Sequence, residues 1–177
     1  RVLKVEAKTE HLSISSQGAV QPRSESTLIP EVSGRVTWIS PSLVGGGSFK
    51  HGDVLLRIDQ SDYKTSLQRN KAVLQRTEIE QAYATDELER VQKLYQKKLA
   101  SQSQLDGAER TARVAAALLL EGRANLDQAQ RDLERTELKA PFDGLVRNEQ
   151  VDMGQFVSRG NTIGVIYATD YVEVRLP

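Results

Sequence analysis

The sequence predicts an α+β fold in which a long antiparallel helical hairpin interrupts a small all-β unit. Three observations support this prediction: turn-forming residues are concentrated in the two flanks, an apolar heptad pattern runs through the middle, and the flanks share one plan. Between Gly52 and Pro141 the only glycines are Gly107 and Gly122, and proline is absent. A stretch with so few breakers favours long helices, whereas the flanks are dense in turn signals.

The first arm of the hairpin is predicted from Asp62 to Lys98, where Leu, Gln, Arg, Lys, Glu and Ala dominate. Alternating steps of four and three residues from Tyr63 to Tyr95 meet mostly apolar side chains, as expected for the inner face of a coiled coil. This predicted seam contains Tyr63, Leu67, Asn70, Leu74, Thr77, Gln81, Ala84, Leu88, Val91 and Tyr95.

The second arm has a more regular seam of leucine and small residues. Its predicted members are Leu105, Ala108, Ala112, Ala115, Leu119, Gly122, Leu126, Ala129, Leu133 and Thr136. Small residues at these positions allow two helix axes to approach closely. Between the arms, Ser101 and Gln104 have the spacing of a capping box, which predicts the start of the returning helix.

Outward positions of both arms carry acidic residues four places before basic ones, a spacing that stabilises exposed helices by about 0.2–0.5 kcal/mol per pair. The predicted pairs are Asp86 with Arg90, Glu89 with Lys93, Glu109 with Arg113, and Asp127 with Arg131. Most of this charge is interpreted as a solvated helix face. At about 1.5 Å per residue each arm is about 55 Å long, which suggests that the far end reaches a partner.

The two flanks repeat one another. Gly34-Arg35-Val36 is followed by Gly52 and an apolar strand ending at Asp59, and Gly144-Leu145-Val146 is followed by Gly160 and a similar strand. Each flank is predicted to form short β-strands separated by glycine-containing turns. Because neither flank has enough apolar residues for a core of its own, we expect the two to pair.

Charge and composition exclude several classes of protein. The 177 residues include 24 basic and 24 acidic side chains, and this zero net charge disfavours a nucleic-acid-binding protein. The absence of cysteine, with only His11 and His51, argues against thiol catalysis, disulfide scaffolds and zinc fingers. No apolar run approaches the roughly 18 residues of a membrane span. No targeting signal is visible, and the chain opens in mid-pattern, so we expect a fragment of a longer protein.

The order of these motifs resembles the split lipoyl (biotinyl-carrier-like) domain of the periplasmic adaptor proteins, also called membrane fusion proteins, of tripartite efflux pumps. In that family a coiled-coil hairpin interrupts the lipoyl domain, as between residues 59 and 138 here. The resemblance rests on residues 34–36, 52–59 and 140–146 and on the heptads between them. It implies a structural lipoyl motif made of Gly34, Gly52, Asp53, Pro141, Asp143, Gly144 and Gly160.

The resemblance also implies a division of the chain. Residues 1–28 would be N-terminal strands of an incomplete β-barrel, 29–60 the first lipoyl half, 61–137 the hairpin with its tip at about 96–104, 138–168 the second lipoyl half, and 169–177 the start of the next barrel strand. Strand patterns at residues 3–8, 12–15 and 171–176 fit this division. Most of the barrel and a membrane-proximal domain are expected to lie outside the chain.

A docking signature of the family implies contact residues at the tip. Adaptors that dock on TolC-like outer-membrane channels carry Arg, then Leu four residues later, then Ser seven beyond that, and this chain has Arg90, Leu94 and Ser101 at that spacing. Independently, the seam places Leu94 beside the coiled-coil contact, on the same flank as Arg90. Lys97 and Lys98 add positive charge. The structural alternatives are that Leu94 only widens the seam and that Ser101 is only a helix cap.

The function implied by the resemblance is that of a non-catalytic adaptor. It would be anchored to the inner membrane, oligomerise into a conduit as a trimer or hexamer, and link a resistance-nodulation-division (RND) transporter to a TolC-like channel in the periplasm. The alternatives are an adaptor of an ABC or major-facilitator export system, a carrier domain of a multienzyme complex, and a structural coiled-coil protein. Carrier domains present a modified lysine at the turn where the hairpin is inserted here, so no lipoyl or biotin cofactor is expected.

Candidate catalytic and metal-binding residues have simpler interpretations. Ser61 and Lys64 have the Ser-x-x-Lys spacing of some hydrolases, but they stand where a helix begins, and capping is the favoured interpretation. His11, His51 and Met153 lack neighbours at ligand spacing, so no metal site is expected. The Gly-rich segment 42–49 lacks the Gly-Lys-Ser/Thr ending of a phosphate loop and is predicted to be a turn. We therefore expect no enzymatic activity.

Overall fold

The computed structural model describes residues 17–175, which form ten β-strands and two long helices. In chain order the elements are β1 (Ala19–Pro22), β2 (Glu25–Leu28), β3 (Gly34–Ile39), β4 (Ser48–Phe49), β5 (Val54–Ile58), α1 (Ser61–Gln96), α2 (Gln102–Glu134), β6 (Glu137–Lys139), β7 (Gly144–Glu149), β8 (Phe156–Val157), β9 (Gly164–Ala168) and β10 (Val172–Arg175). The predicted α+β fold, with a helical hairpin inserted into an all-β unit, is confirmed.

The all-β unit is a sandwich to which both flanks contribute. One sheet has the strand order β2-β9-β7-β4 and the other β6-β5-β3-β8, and the paired strands are antiparallel. Each sheet therefore combines two strands from before the hairpin with two from after it. This interleaving confirms the expectation that the flanks pair.

The core of the sandwich is made jointly by the two flanks. Val36, Leu55 and Ile58 from the first flank and Val146 and Ile166 from the second are all at most 1% exposed and belong to one apolar cluster. Burying such a side chain contributes about 1.5–3 kcal/mol. Removing either flank would open this cluster, so the sandwich is expected to form only when both flanks are present.

Strand β2 shows where the sandwich begins. Glu25 to Leu28 pair with Tyr167 to Gly164 of β9, so these residues belong to the sandwich and not to the barrel segment 1–28 in which the sequence division placed them. Similarly, Glu137 opens β6 although it was assigned to the hairpin. Both differences arise because strand membership depends on a partner distant in sequence.

The hairpin is a coiled coil whose seam matches the predicted heptads. Its most buried positions recur every seven residues, at Thr77, Ala84 and Val91 of α1 and at Ala115, Gly122 and Ala129 of α2. A Cβ atom at Gly122 would lie 3.0 Å from the Thr77 hydroxyl oxygen, so the two helices pack tightly there. Tyr95 is the one predicted seam residue that is exposed, at 39%.

The base of the hairpin is joined to the sandwich by polar contacts. The Tyr63 hydroxyl donates to the backbone carbonyl of Ser33 at 2.7 Å, and the Gln60 amide donates to the hydroxyl of the fully buried Thr136 at 2.9 Å. Arg135 forms an ion pair with Glu31 at 2.7 Å. The first and last seam residues, Tyr63 and Thr136, thus connect the hairpin to the β unit.

Two of the four predicted ion pairs on the hairpin form. Glu89 pairs with Lys93 at 3.2 Å and Glu109 with Arg113 at 3.3 Å. The other two predictions are wrong: within the described residues, Arg90 pairs with Glu87 instead of Asp86, and Arg131 donates to Gln128 instead of meeting Asp127. In both cases a partner at i−3 replaces the predicted one at i−4, and both spacings lie on one helix face.

A separate two-stranded sheet joins the two ends of the described chain. β1 and β10 pair antiparallel, with Val20 opposite Val174, as expected for the predicted strand at 171–176. Val20, Val172 and Val174 are exposed. The predicted strands at residues 3–8 and 12–15, together with His11, lie outside the described residues. Within the described part of the chain, neither helix is long and apolar enough to cross a membrane.

Candidate functional site

The first half of the bend at the hairpin tip is a Schellman motif. The backbone N–H of Lys98 donates to the carbonyl of Tyr95 at 2.8 Å, and that of Leu99 donates to the carbonyl of Leu94 at 2.9 Å. Lys98 takes the left-handed conformation, with φ +59°. Helices usually place glycine at this position because a side chain there is unfavourable. The bend leaves Lys97, Lys98 and Leu99 exposed at the end of the rod.

The second half of the bend is the predicted capping box. Ser101 Oγ accepts from the backbone N–H of Gln104 at 3.3 Å, and Gln104 Oε1 accepts from the backbone N–H of Ser101 at 2.7 Å. Together these bonds satisfy two backbone donors at the start of α2. Ser101 therefore has a structural role in the bend, and its exposed hydroxyl can still donate a hydrogen bond.

Beside the bend, one face of the hairpin carries an open groove of about 390 Å³ between the two helices. Its walls include Tyr83, Glu87, Arg90 and Leu94 from α1 and Gln104 and Gly107 from α2; we call it the tip groove. Leu94 is half-buried and Arg90 is exposed. The structure thus brings Arg90 and Leu94 into one surface, while Lys97, Lys98 and Ser101 lie outside the groove lining, on the bend itself.

The guanidinium of Arg90 is held in a fixed orientation within this groove. Its Nε donates to Glu87 Oε2 at 2.8 Å and its Nη2 donates to Glu87 Oε1 at 2.6 Å. These hydrogen bonds, helped by the attraction of opposite charges, lower the pKa of Glu87 and raise the pKa of Arg90. Among residues 17–175, the guanidinium of Arg90 donates only to Glu87, and its remaining N–H groups are available to another molecule.

Gly107 is a groove residue that sequence reasoning did not single out. A Cβ atom added there would meet nothing within 4 Å, so close packing inside the hairpin does not require glycine. Glycine in a helix interior costs about 1 kcal/mol relative to alanine. The signal available in the sequence was a glycine within a run of helix-forming residues.

The lipoyl motif residues join the two halves of the sandwich. The carboxylate of Asp143 accepts from the backbone N–H of His51 at 2.6 Å, and Gly52 N–H donates to the carbonyl of Ala140 at 2.9 Å. Asp53 closes its own turn by accepting from the backbone N–H of Lys50 at 2.8 Å. Pro141 lies on the surface directly after Ala140.

The four motif glycines fall into two equivalent pairs. Gly52 and Gly160 have φ of +86° and +91°, which favours glycine at these turns. Gly34 and Gly144 open β3 and β7, where a Cβ would collide with Ile58 and with the backbone of Tyr167, respectively. The sequence repeat therefore corresponds to a repeat of structural roles.

The alternative chemical sites have structural explanations. The Ser61 backbone N–H and hydroxyl both donate to Asp59 Oδ1, at 2.9 and 2.7 Å, which lowers the pKa of Asp59. The N-cap position of α1 is Gln60, which makes no side-chain capping bond, so the interpretation of Ser61 as a cap is wrong. Ser61 is the first residue of the helix and is a donor to the preceding Asp59. Across residues 17–175, no group of three or more His, Cys, Asp or Glu side chains could hold a metal ion.

Comparison with known proteins identifies this architecture. Residues 25–169 match the family model described as the RND membrane fusion protein (MFP) barrel-sandwich hybrid domain. The chain belongs to this family. The matched segment begins at the first residue of β2 and ends just after β9, so this membrane fusion protein carries its hairpin inside the barrel-sandwich hybrid domain.

Relatives and solved structures agree with the assignment. The chain is 32% identical over 163 residues to the multidrug resistance protein MdtA of Photorhabdus laumondii, covering 91% of this chain and 40% of that protein. The MacA-MexA chimera carrying the Pseudomonas aeruginosa MexA α-hairpin superposes with a TM-score of 0.60 at 24% identity, over 90% of this chain and 52% of that one. The membrane fusion protein Spr0693 of Streptococcus pneumoniae R6 gives 0.66 at 15% identity, over 89% and 64%. These likenesses show a shared fold, and the chain spans less than half of the MdtA relative.

Proposed function

We propose that this membrane fusion protein is the non-catalytic periplasmic adaptor of a tripartite pump that exports drugs or other toxic compounds. It would link an inner-membrane transporter of the RND type to a TolC-like outer-membrane channel. The family assignment supports the RND type, and the chain's relatives include multidrug resistance proteins. The observation that carries the proposal is the tip groove, which lies at the far end of a rod joined to the sandwich at its base.

The hairpin rod separates the tip groove, which is proposed to dock on the channel, from the sandwich at its base. Helix α1 has 36 residues, which corresponds to about 54 Å at 1.5 Å per residue. Polar contacts at its base, from Tyr63 to Ser33 and from Gln60 to Thr136, join the rod to the sandwich. A rigid spacer of this length suits a protein that must hold a contact surface away from the membrane carrying its transporter.

In this proposal the hairpin tip docks on the helices of the channel. Leu94 supplies an apolar contact and Arg90 supplies hydrogen-bond donors from the groove, while Lys97, Lys98 and Ser101 contribute from the bend. Helix-in-groove recognition combines apolar anchors with a few polar contacts in this way. The exposed Tyr83 and Leu99, at 73% and 72% exposure, widen the apolar part of this surface.

Oligomerisation into a conduit, as a trimer or hexamer, is part of the same proposal. Large apolar side chains are exposed along both arms, among them Ile79, Val114 and Leu118. Exposed apolar surface on a rod with balanced charge favours packing against similar rods. The full-length protein would lie in the periplasm, anchored at the inner membrane, and would need no cofactor because its work is geometric.

Replacing Leu94 with Asp tests the proposal in cells that depend on this protein for drug resistance. We expect the Leu94→Asp variant to lose resistance although the protein accumulates and folds normally. Leu120→Asp is the matched control, because Leu120 is 66% exposed on α2 and lies outside the tip groove lining. Full resistance in the Leu94→Asp strain would contradict the docking role of the tip groove.

A further inference from the structure

Arg90 and Glu87 form the most completely paired ion pair on the hairpin. Both carboxylate oxygens of Glu87 are used, one by Nε and one by Nη2 of Arg90, at 2.8 and 2.6 Å. By comparison, Lys93 reaches Glu89 through a single contact of 3.2 Å. A two-point contact fixes the plane of a guanidinium, whereas a single contact to an ammonium leaves it free to rotate.

The position of Glu87 places this pair within the docking surface. Glu87 and Arg90 both line the tip groove, together with Leu94, and their spacing of three and four residues puts all three on one flank of α1. Glu87 is the less exposed partner, with 37% of its side chain accessible against 61% for Arg90. Arg90 is therefore the partner with more surface accessible to another molecule.

From this geometry we propose that Glu87 is a positioning residue for docking, which holds Arg90 so that its unused N–H groups point out of the groove towards the channel. The inference rests on the proposed docking role of Arg90. Two of the five guanidinium donors are bound by Glu87. Of the other three, one on Nη2 and one on Nη1 form the terminal edge of the planar group. That edge suits an acceptor such as a helix C-terminal carbonyl or a carboxylate on the partner.

Pre-orientation reduces the loss of side-chain freedom when the partner binds. A long side chain such as Arg loses appreciable rotamer entropy on being fixed, and a neighbour that fixes it beforehand removes part of that cost from binding. Because exposed ion pairs are weak, the expected effect is modest, about a two- to fivefold change in affinity.

A double-mutant cycle tests the inference with the full-length protein and a purified TolC-like outer-membrane channel encoded in the same genome. The variants are Glu87→Ala, Arg90→Ala and the double variant. We expect Glu87→Ala to weaken binding about two- to fivefold in the presence of Arg90 and to have no effect in the Arg90→Ala background. Glu87→Gln, which keeps the size but loses the charge and the second strong acceptor, should weaken binding in the same direction. Glu89→Gln is the matched control and should leave binding unchanged.

The outcomes separate this inference from the proposed function. If Arg90→Ala weakens binding and Glu87→Ala does not, the positioning role is overturned while docking through Arg90 stands. If Glu87→Ala weakens binding equally in both backgrounds, Glu87 contacts the channel itself and the positioning role is again overturned. If Arg90→Ala has no effect, the docking role of Arg90 and the inference fail together. Equal helix content and unfolding midpoints of all variants exclude a purely structural effect.

Discussion

The carboxylate of Asp143 accepts a hydrogen bond of 2.6 Å from the backbone N–H of His51, although the two residues are 92 positions apart. Between them the chain passes through the whole hairpin and returns. The bond therefore joins the two half-motifs of the sandwich directly, although the hairpin separates them in the chain. Its loss should affect the sandwich more than the coiled coil.

Replacing Asp143 with Ala should lower the free energy of unfolding of the sandwich by about 1–2 kcal/mol, since hydrogen bonds to a charged acceptor contribute about 1.5–3 kcal/mol and this one is exposed. Denaturant unfolding, followed by the fluorescence of Trp38 in β3, measures the change. Asp127→Ala, on the exposed face of α2, is the control and should have little effect. Equal stability of both variants would show that the half-motifs are held by apolar contacts alone.

Thr136→Val should loosen the base of the hairpin. The valine has nearly the same volume but cannot accept the hydrogen bond from the Gln60 amide. Loss of this bond in a buried setting should lower the free energy of unfolding by about 1–3 kcal/mol. Hydrogen exchange of the backbone amides of Ile58 and Thr136 should accelerate. Thr85→Val, which removes an exposed hydroxyl bonded to its own helix, is the control. Unchanged exchange in Thr136→Val would mean that the base does not depend on this bond.

Gly107→Ala separates stability from docking. Because a Cβ at this position meets nothing within 4 Å, the alanine should stabilise α2 by about 0.5–1 kcal/mol. Because Gly107 lines the tip groove, the added methyl group should also weaken channel binding. Thermal unfolding and a binding assay on one protein preparation measure both effects. A variant that is more stable and binds equally well would show that Gly107 is not part of the docking surface.

Lys98→Gly should stabilise the bend, because Lys98 is in the left-handed conformation at φ +59° and glycine adopts this conformation without steric cost. The expected gain is up to about 1 kcal/mol, seen as a higher unfolding temperature. If the Lys98 charge takes part in docking, binding by the variant should also become less dependent on salt concentration. Lys97→Gly is the comparison for stability, since Lys97 has a negative φ and glycine there should lower the unfolding temperature.

Much of the hairpin was predictable because its contacts are local and periodic. The seam residues Ala84, Val91 and Ala115 and the Ser101 cap follow from spacing alone, and the structure confirms them. The choice of Glu87 over Asp86 as partner of Arg90 was not predictable, since i−3 and i−4 partners lie on the same face and side-chain geometry decides between them.

The sandwich was predictable in kind but not in its boundaries. The repeated glycine plan indicated that two half-units pair, whereas the place of β2 depends on pairing with β9, with Glu25 opposite Tyr167. A four-residue strand at a sheet edge has a weak pattern of its own. The tip groove could not be predicted from the sequence either, because its walls come from both helices and its width depends on how the helices cross.

The most direct test of the central claim, that this protein docks on an outer-membrane channel through its tip groove, is site-specific photo-crosslinking in living cells. A photoreactive amino acid replaces Leu94 in one strain and Leu120 in another. The account predicts that the outer-membrane channel is captured from position 94 and not from position 120. Capture from position 120 with none from position 94, in strains that retain resistance, would contradict it.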